Sequence, residues 1–213
     1  MPYFPRPLAG ALALLLLAAP ASAVRLPGEF EPQQALLLPA PQLVDFHPEV
    51  LGEVVAAARG HVRILLLTAG ERDERRVEEI LSAKGLPAGA VDFLRVPLHS
   101  MWLRDYGPLF VVDGQGRLRL VDGRYSGAET HREDDAAPRL LARAWNLPVD
   151  PLPLVFEGGH LLSNGRGFLL GAFSLPSLNP DRSTAQVDQL LRERFGAVQR
   201  AWLRPLHGEP TLH

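Results

Sequence analysis

The 213-residue chain contains no cysteine. Disulfides, a thiolate metal site, a redox dithiol and a cysteine nucleophile are therefore excluded from these residues. No basic stripe occurs either, and the formal charge of -2 is nearly balanced, which argues against a nucleic-acid footprint. Long apolar runs are also missing. The one extended stretch, "LAGALALLLLAAP" after Arg6, is too short and too Ala-rich for a comfortable membrane span. It ends in "ASA", small residues of the kind a signal peptidase reads. Residues 1–23 are thus expected to be a cleaved secretory signal, the alternative being a retained lipid-surface anchor. Cleavage near Ala23 would leave a secreted or periplasmic domain, 24–213, with no membrane partner. Removing Arg6 moves its charge from -2 to -3. Without disulfides, that domain must be held by its core, and 46% hydrophobic content is enough to build one.

What is present reads first as α/β. "QALLLPAP", "HVRILLLTA" and "VDFLRVPL" are short continuous apolar runs of the buried-strand type. "PEVLGEVVAAARG" and "ERDERRVEEILSAKG" lie between them with helical spacing and end on Gly60 and Gly85. In the second, Val77, Ile80, Leu81 and Ala83 are predicted to face inward. From Trp102 the texture changes to hairpins. "GPLFVVDGQGRLRLVDG" turns at Asp113-Gly114-Gln115-Gly116, and "FEGGHLLSNGRGFLLGAF" turns at Asn164-Gly165-Arg166-Gly167. Each is followed by a predicted helix. In "EDDAAPRLLARAWN", Leu140, Leu141, Ala144 and Trp145 share a face, while "STAQVDQLLRERFG" opens with a Ser183 to Gln186 capping box and closes at Gly196.

The stretch "MWLRDYGPLF" breaks local rules, because Arg104 and Asp105 stand side by side where a buried strand is expected. Ionised groups in a core cost several kcal/mol unless paired or functional. Superposing the hairpins suggests a reason. The two turns recur at a shift of 51, and Asp105 recurs as Glu157 at a shift of 52, each acid followed by Gly within two residues. A unit of acid, Gly, strand, turn, strand and helix repeating every ~50 residues is the signature of a radial or stacked array. Equivalent positions in a radial array point at one axis, so Asp105 and Glu157 are expected to converge. Two carboxylates at one site repel, and a cation is their natural occupant. The plainer alternative pairs Asp105 with Arg104 or a distant Arg and makes Glu157 a turn cap.

Other constellations are weaker. His207, Glu209 and His213 crowd the tail "LHGEPTLH" and could serve a metal-dependent hydrolase, but the helical HExxH spacing is absent and Pro210 prevents a regular helix. Ser126, Ser163 and Ser174 lack a GxSxG elbow and read as loop hydroxyls. His47, His99 and His131 have no partner fixed by the sequence. "DGQGR" has neither a GKS/T ending nor the dense carboxylates of a calcium loop, so it reads as a hairpin turn.

With Trp102-x-Arg104-Asp105-x-Gly107-Pro108, Glu157-Gly158-Gly159 and Gly208-Glu209-x-Thr211-x-His213 in view, the sequence resembles the agmatine deiminase and bacterial peptidylarginine deiminase family from about Phe30 onward. The resemblance implies a five-bladed α/β propeller, which agrees with the ~50-residue repeat. It implies a small-molecule or peptide guanidino substrate, hydrolysed with release of ammonia, and no cofactor. A carboxylate grips a guanidinium through paired hydrogen bonds. By resemblance Asp105 holds it, Trp102 walls the pocket as an aromatic face for a cation, and Glu157 lies near as support or second acid. His213 is the general acid/base, and the nucleophile is a Cys thiolate.

The chain also departs from the pattern. The family continues past the His to an acid two residues on, then for roughly two more units to the Cys. The expectation is thus a chain cut short with about three of five repeats, inactive alone and prone to self-association through an exposed propeller seam. A non-catalytic binder of guanidino ligands is the alternative. His160 and Asn164 replace a common Asn and Asp, and "RYSGAETHRED" lacks the Arg-rich pattern suited to a peptide carboxylate, so the choice of substrate stays open.

Overall fold

The computed structural model describes residues 24–204. The expected signal segment and the tail residues His207, Glu209 and His213 lie outside the described residues. Three small three-stranded sheets follow one another along the chain. The first is parallel, ordered β1 (Ala35–Pro39), β2 (Arg63–Thr68), β3 (Asp92–Arg95). Its crossovers carry α1 (Leu43–Phe46) and α2 (Pro48–Ala58), then α3 (Glu71–Ala83). Gly60 and Gly85, with φ of +85° and +69°, take the left-handed backbone that ends each helical segment. Val77, Ile80 and Leu81 are buried as the pattern predicts, but Ala83 is exposed. At ~100° per residue it lies roughly 200° round the helix from Leu81.

"MWLRDYGPLF" is not the single strand expected. It divides into a one-turn helix, α4 (Leu103–Tyr106), and a strand, β4 (Leu109–Val112). The Trp102 carbonyl accepts the Asp105 N–H at 2.9 Å, and the Leu103 carbonyl accepts that of Gly107 at 2.7 Å. In this turn Tyr106 is buried while Arg104 stays exposed, so the charge never enters the core.

The second sheet pairs β4 antiparallel with β5 (Leu118–Arg124), and β5 parallel with β6 (Val149–Val155) after α5 (Arg132–Ala144). The third repeats this topology. A 3-10 turn at Gly158–His160 leads into β7 (Leu161–Ser163), β8 (Phe168–Ala172), α6 (Ser174–Leu178), α7 (Thr184–Phe195) and β9 (Gln199–Leu203). The hairpin turns are equivalent in detail. Asp113 Oδ1 accepts the N–H groups of Gln115 and Arg117 at 2.9 and 3.0 Å, and Asn164 Oδ1 accepts those of Arg166 and Phe168 at 2.8 and 3.1 Å. Asn for Asp therefore keeps the oxygen that the turn uses.

The Ser183 to Gln186 capping box opens α7 and left-handed Gly196 closes it, as predicted. In α5 Ala144 is exposed, two residues beyond buried Ala142 and thus on the far side of the helix. The core has three parts. One joins the first sheet to α2 and α3. A second joins its other face, through Leu65 and Leu67, to Ala137 and Leu141 of α5. The third joins one face of the second sheet to Val187, Leu191 and Phe195 of α7. The first and second sheets thus each have one face covered by the helix of the next unit.

Candidate functional site

The site grows out of α5. Asp134, fully buried near its start, accepts the backbone N–H groups of His99 and Ser100 at 2.7 and 3.3 Å and the Ser100 hydroxyl at 2.8 Å. A buried carboxylate with three donors stays satisfied, and here it fixes the segment that leads into Trp102. Tyr106 completes the anchor by donating its hydroxyl to the Ser100 carbonyl at 2.7 Å. Trp102 is left with 55% of its surface exposed at the mouth of the α4 turn.

The 3-10 turn holding Glu157 packs against α4. Gly158 touches the Arg104 carbonyl so closely that any Cβ would overlap the oxygen, and the Arg104 guanidinium reaches the Leu161 carbonyl at 3.2 Å. Equivalent turns of successive units therefore abut, and they carry Asp105 and Glu157. Both acids, with Asp134, act on one phenol: burial and then the charges of Glu157, Asp105 and Asp134 push Tyr125 up to about 12. Burial and Asp134 raise Tyr106 as well. The tyrosine rings meet edge to face at 5.8 Å, so two neutral phenols stand together beside the acids.

Arg104, offered above as a structural partner for Asp105, directs its guanidinium to Glu29 and to the Leu161 carbonyl. Glu157 does cap its turn through the backbone: its carbonyl accepts the His160 N–H at 3.0 Å, and its own N–H donates to His160 Nδ1 at 2.9 Å. Its carboxylate receives the Ser126 hydroxyl. His160 is buried against Phe156 and holds the turn in place of the Asn that the resemblance would put there. Ser163 serves structure, donating to the Leu26 carbonyl at 2.7 Å, and Ser174 is buried in α6.

Tyr125 escaped the sequence reading, Ser126 was read there as a loop hydroxyl, and His160 only as a departure from a common Asn. Tyr125 and Ser126 matter because another unit comes to meet them, whereas His160 acts within its own turn. The loop after β5 that carries Tyr125 and Ser126 is positioned by a chain of ion pairs: Asp135 accepts the Tyr125 N–H at 2.9 Å, while Arg139 bridges Asp135 and Asp122 at 3.0 and 2.7 Å. His99 and His131 also meet, their rings 4.6 Å apart at the rim of this loop. A cleft of about 550 Å³ lies elsewhere, lined by β1, β4 and the Pro27–Glu29 segment, and neither acid borders it.

Fold and site together define an α/β protein of successive sheet-and-helix units, with two acids carried on abutting turns. The family is shown by the sequence: residues 25–213 match the Porphyromonas-type peptidyl-arginine deiminase family, to which the chain belongs. A curated relative from Selenomonas ruminantium, provisionally named an agmatine deiminase, is 29% identical over 163 residues, covering 70% of this chain and 43% of the relative. An agmatine deiminase structure from Enterococcus faecalis is similar at TM-score 0.72 and 20% identity, over 85% of this chain and 53% of that one. The agmatine deiminase of C. jejuni aligns at TM-score 0.71 and 23% identity, over 89% and 58%. The chain thus spans about half the length of the relatives it matches.

Proposed function

We propose that this chain provides the guanidinium-binding part of a deiminase acting on agmatine or peptidyl-arginine, in which water replaces one guanidinium nitrogen to give a ureido product and ammonia. The observation that carries the reading is the placement of Asp105 and Glu157 on abutting turns, both acting on Tyr125. An aromatic lip at Trp102 and neutral phenols behind the acids suit a flat, permanently charged cation. In this reading Asp105 grips two guanidinium N–H groups, Trp102 covers the ring-like plane of the cation, and Glu157, oriented by Ser126, supports the site as second acid. His213 is assigned proton transfer to the departing ammonia and from water. The covalent step needs a thiolate, and these residues include none.

A second reading rests on the same two acids, a non-catalytic binder of guanidino ligands. The three sheets are proposed to be three units of a five-bladed propeller. The apolar leader supports export to a secreted or periplasmic location. Calorimetric titration with agmatine and with 1,4-diaminobutane tests the site, since they differ in guanidinium against ammonium. Agmatine is expected to bind roughly tenfold tighter, because only a guanidinium offers the fork a carboxylate accepts. Equal affinities would overturn the reading.

A further inference from the structure

Two consecutive acids in the first turn of α5 hold the two halves of the site. Asp134 and Asp135 leave the helix roughly 100° apart and so meet different segments. Asp134 fixes the His99 and Ser100 N–H groups ahead of Trp102 and Asp105. Asp135 meets the end of β5 instead. There the ladder to β6 shifts register between Gly123 and Arg124, and the strand ends. The next N–H, that of half-buried Tyr125, donates to Asp135 Oδ1 at 2.9 Å. A backbone donor leaving a sheet needs such an acceptor, so this carboxylate sets where the loop departs.

The loop then closes on itself. The Tyr125 carbonyl accepts the Ala128 N–H at 3.1 Å, and the Gly127 carbonyl accepts those of Thr130 and His131 at 3.1 and 2.9 Å. A loop tied in this way shifts as one piece, and its attachment at Tyr125 decides where Ser126 stands. Ser126 is exposed, and its hydroxyl donates to the Glu157 carboxylate of the next unit.

Asp135 is itself held. Arg139, one turn further along α5, donates to Asp135 Oδ2 at 3.0 Å through one terminal nitrogen and to Asp122 Oδ2 at 2.7 Å through the other. The Asp122 and Asp135 side chains are 9% and 21% exposed, so two largely buried carboxylates share one cation. A guanidinium fork can serve both at once, and without it the two acids would repel each other.

We propose that Asp135 and Arg139 are positioning residues for Glu157, acting through the Tyr125 N–H and the Ser126 hydroxyl. Loss of either releases the loop, and the hydroxyl no longer orients the second acid. The inference rests on the guanidinium reading for its ligand, but the hold of Ser126 on Glu157 is measured without one.

The test compares Asp135→Ala, Ser126→Ala and the double variant in the full chain. Arg139→Gln replaces Asp135→Ala should circular dichroism show that variant misfolded. In the ligand-free protein, the ¹³C signal of the Glu157 carboxyl is expected to move in Ser126→Ala and to move the same way in Asp135→Ala. The double variant is expected to match Ser126→Ala. In calorimetric titration each single variant is expected to bind agmatine roughly two- to tenfold more weakly, the range of one hydrogen bond, and the double variant no more weakly than Ser126→Ala. A Glu157 signal unmoved by Asp135→Ala, or shifts and affinity losses that add in the double variant, would overturn the proposal. A wild type that binds no agmatine would remove the guanidinium reading, and the Glu157 signal would still decide whether Asp135 acts on this acid.

Discussion

The α-hydrogen side of Gly158 lies against the carbonyl oxygen of Arg104, in the gap where the two acid-bearing turns meet. Gly158 is therefore a packing requirement between units, whereas a Cβ at Gly107 would meet the Leu103 carbonyl of its own turn. Gly158→Ala is expected to force the turns apart and cost about 1–3 kcal/mol, as overpacking does. The midpoint of a thermal melt should fall by several degrees, and agmatine affinity should weaken with it. An unshifted melt would mean that the turns have room to spare.

Asp105→Asn keeps the shape of the side chain and removes its charge. Charge-assisted hydrogen bonds contribute roughly 1.5–3 kcal/mol, so calorimetry should record agmatine binding ten- to a hundredfold weaker. The melt should change little, since Asp105 is assigned to ligand and not to core. Unaltered affinity in a folded variant would remove Asp105 from the site.

Asp122 gives a pH signature. Burial raises its pKa above the ordinary 3.8, against the opposing pull of Arg139, and Oδ1 is buried with no hydrogen-bond partner. A carboxyl raised on folding holds its proton more tightly in the native state, so its contribution favours folding at low pH and declines as pH rises from 3.8 through the folded value. Asp122→Asn removes that ionisation. Relative to wild type, the variant should gain stability steadily as pH is raised through this window in urea titrations. A difference independent of pH would show that Asp122 ionises normally.

The phenols supply a spectroscopic check. Of three tyrosines in the chain, Tyr106 and Tyr125 are raised by burial and nearby carboxylates, Tyr125 to about 12. Alkaline titration followed at the phenolate band should show two tyrosines resisting ionisation until about pH 12 or until unfolding. Two or three ordinary titrations near pH 10 would contradict the burial of these phenols beside the carboxylates.

Much of this was readable in the residues. The parallel strands, both hairpin turns and the α7 capping box follow from short-range chemistry: an apolar run, an Asx oxygen over two N–H groups, a Ser facing a Gln. That the turns carrying Asp105 and Glu157 abut is in keeping with the repeat. The α4 turn was not readable, because six apolar or aromatic neighbours around Arg104 and Asp105 resemble a strand until Gly107 and Pro108 are allowed to end a helical turn. Ser126 and Tyr125 were illegible for another reason. Their neighbours, Glu157 and Asp105, lie 31 and 20 residues away in adjacent turns, and only packing between units brings them together.

The most direct test of the account is the indole region of a ¹H–¹⁵N correlation spectrum during agmatine titration. The chain has three tryptophans, of which Trp102 stands exposed at the acid site, Trp145 packs on Phe110, and Trp202 lies over Gly171 with its Nε1 buried. The account predicts a saturable shift of the Trp102 signal alone, abolished by Asp105→Asn. A titration that leaves Trp102 in place, or moves Trp145 or Trp202 instead, would contradict a guanidinium site on these two turns.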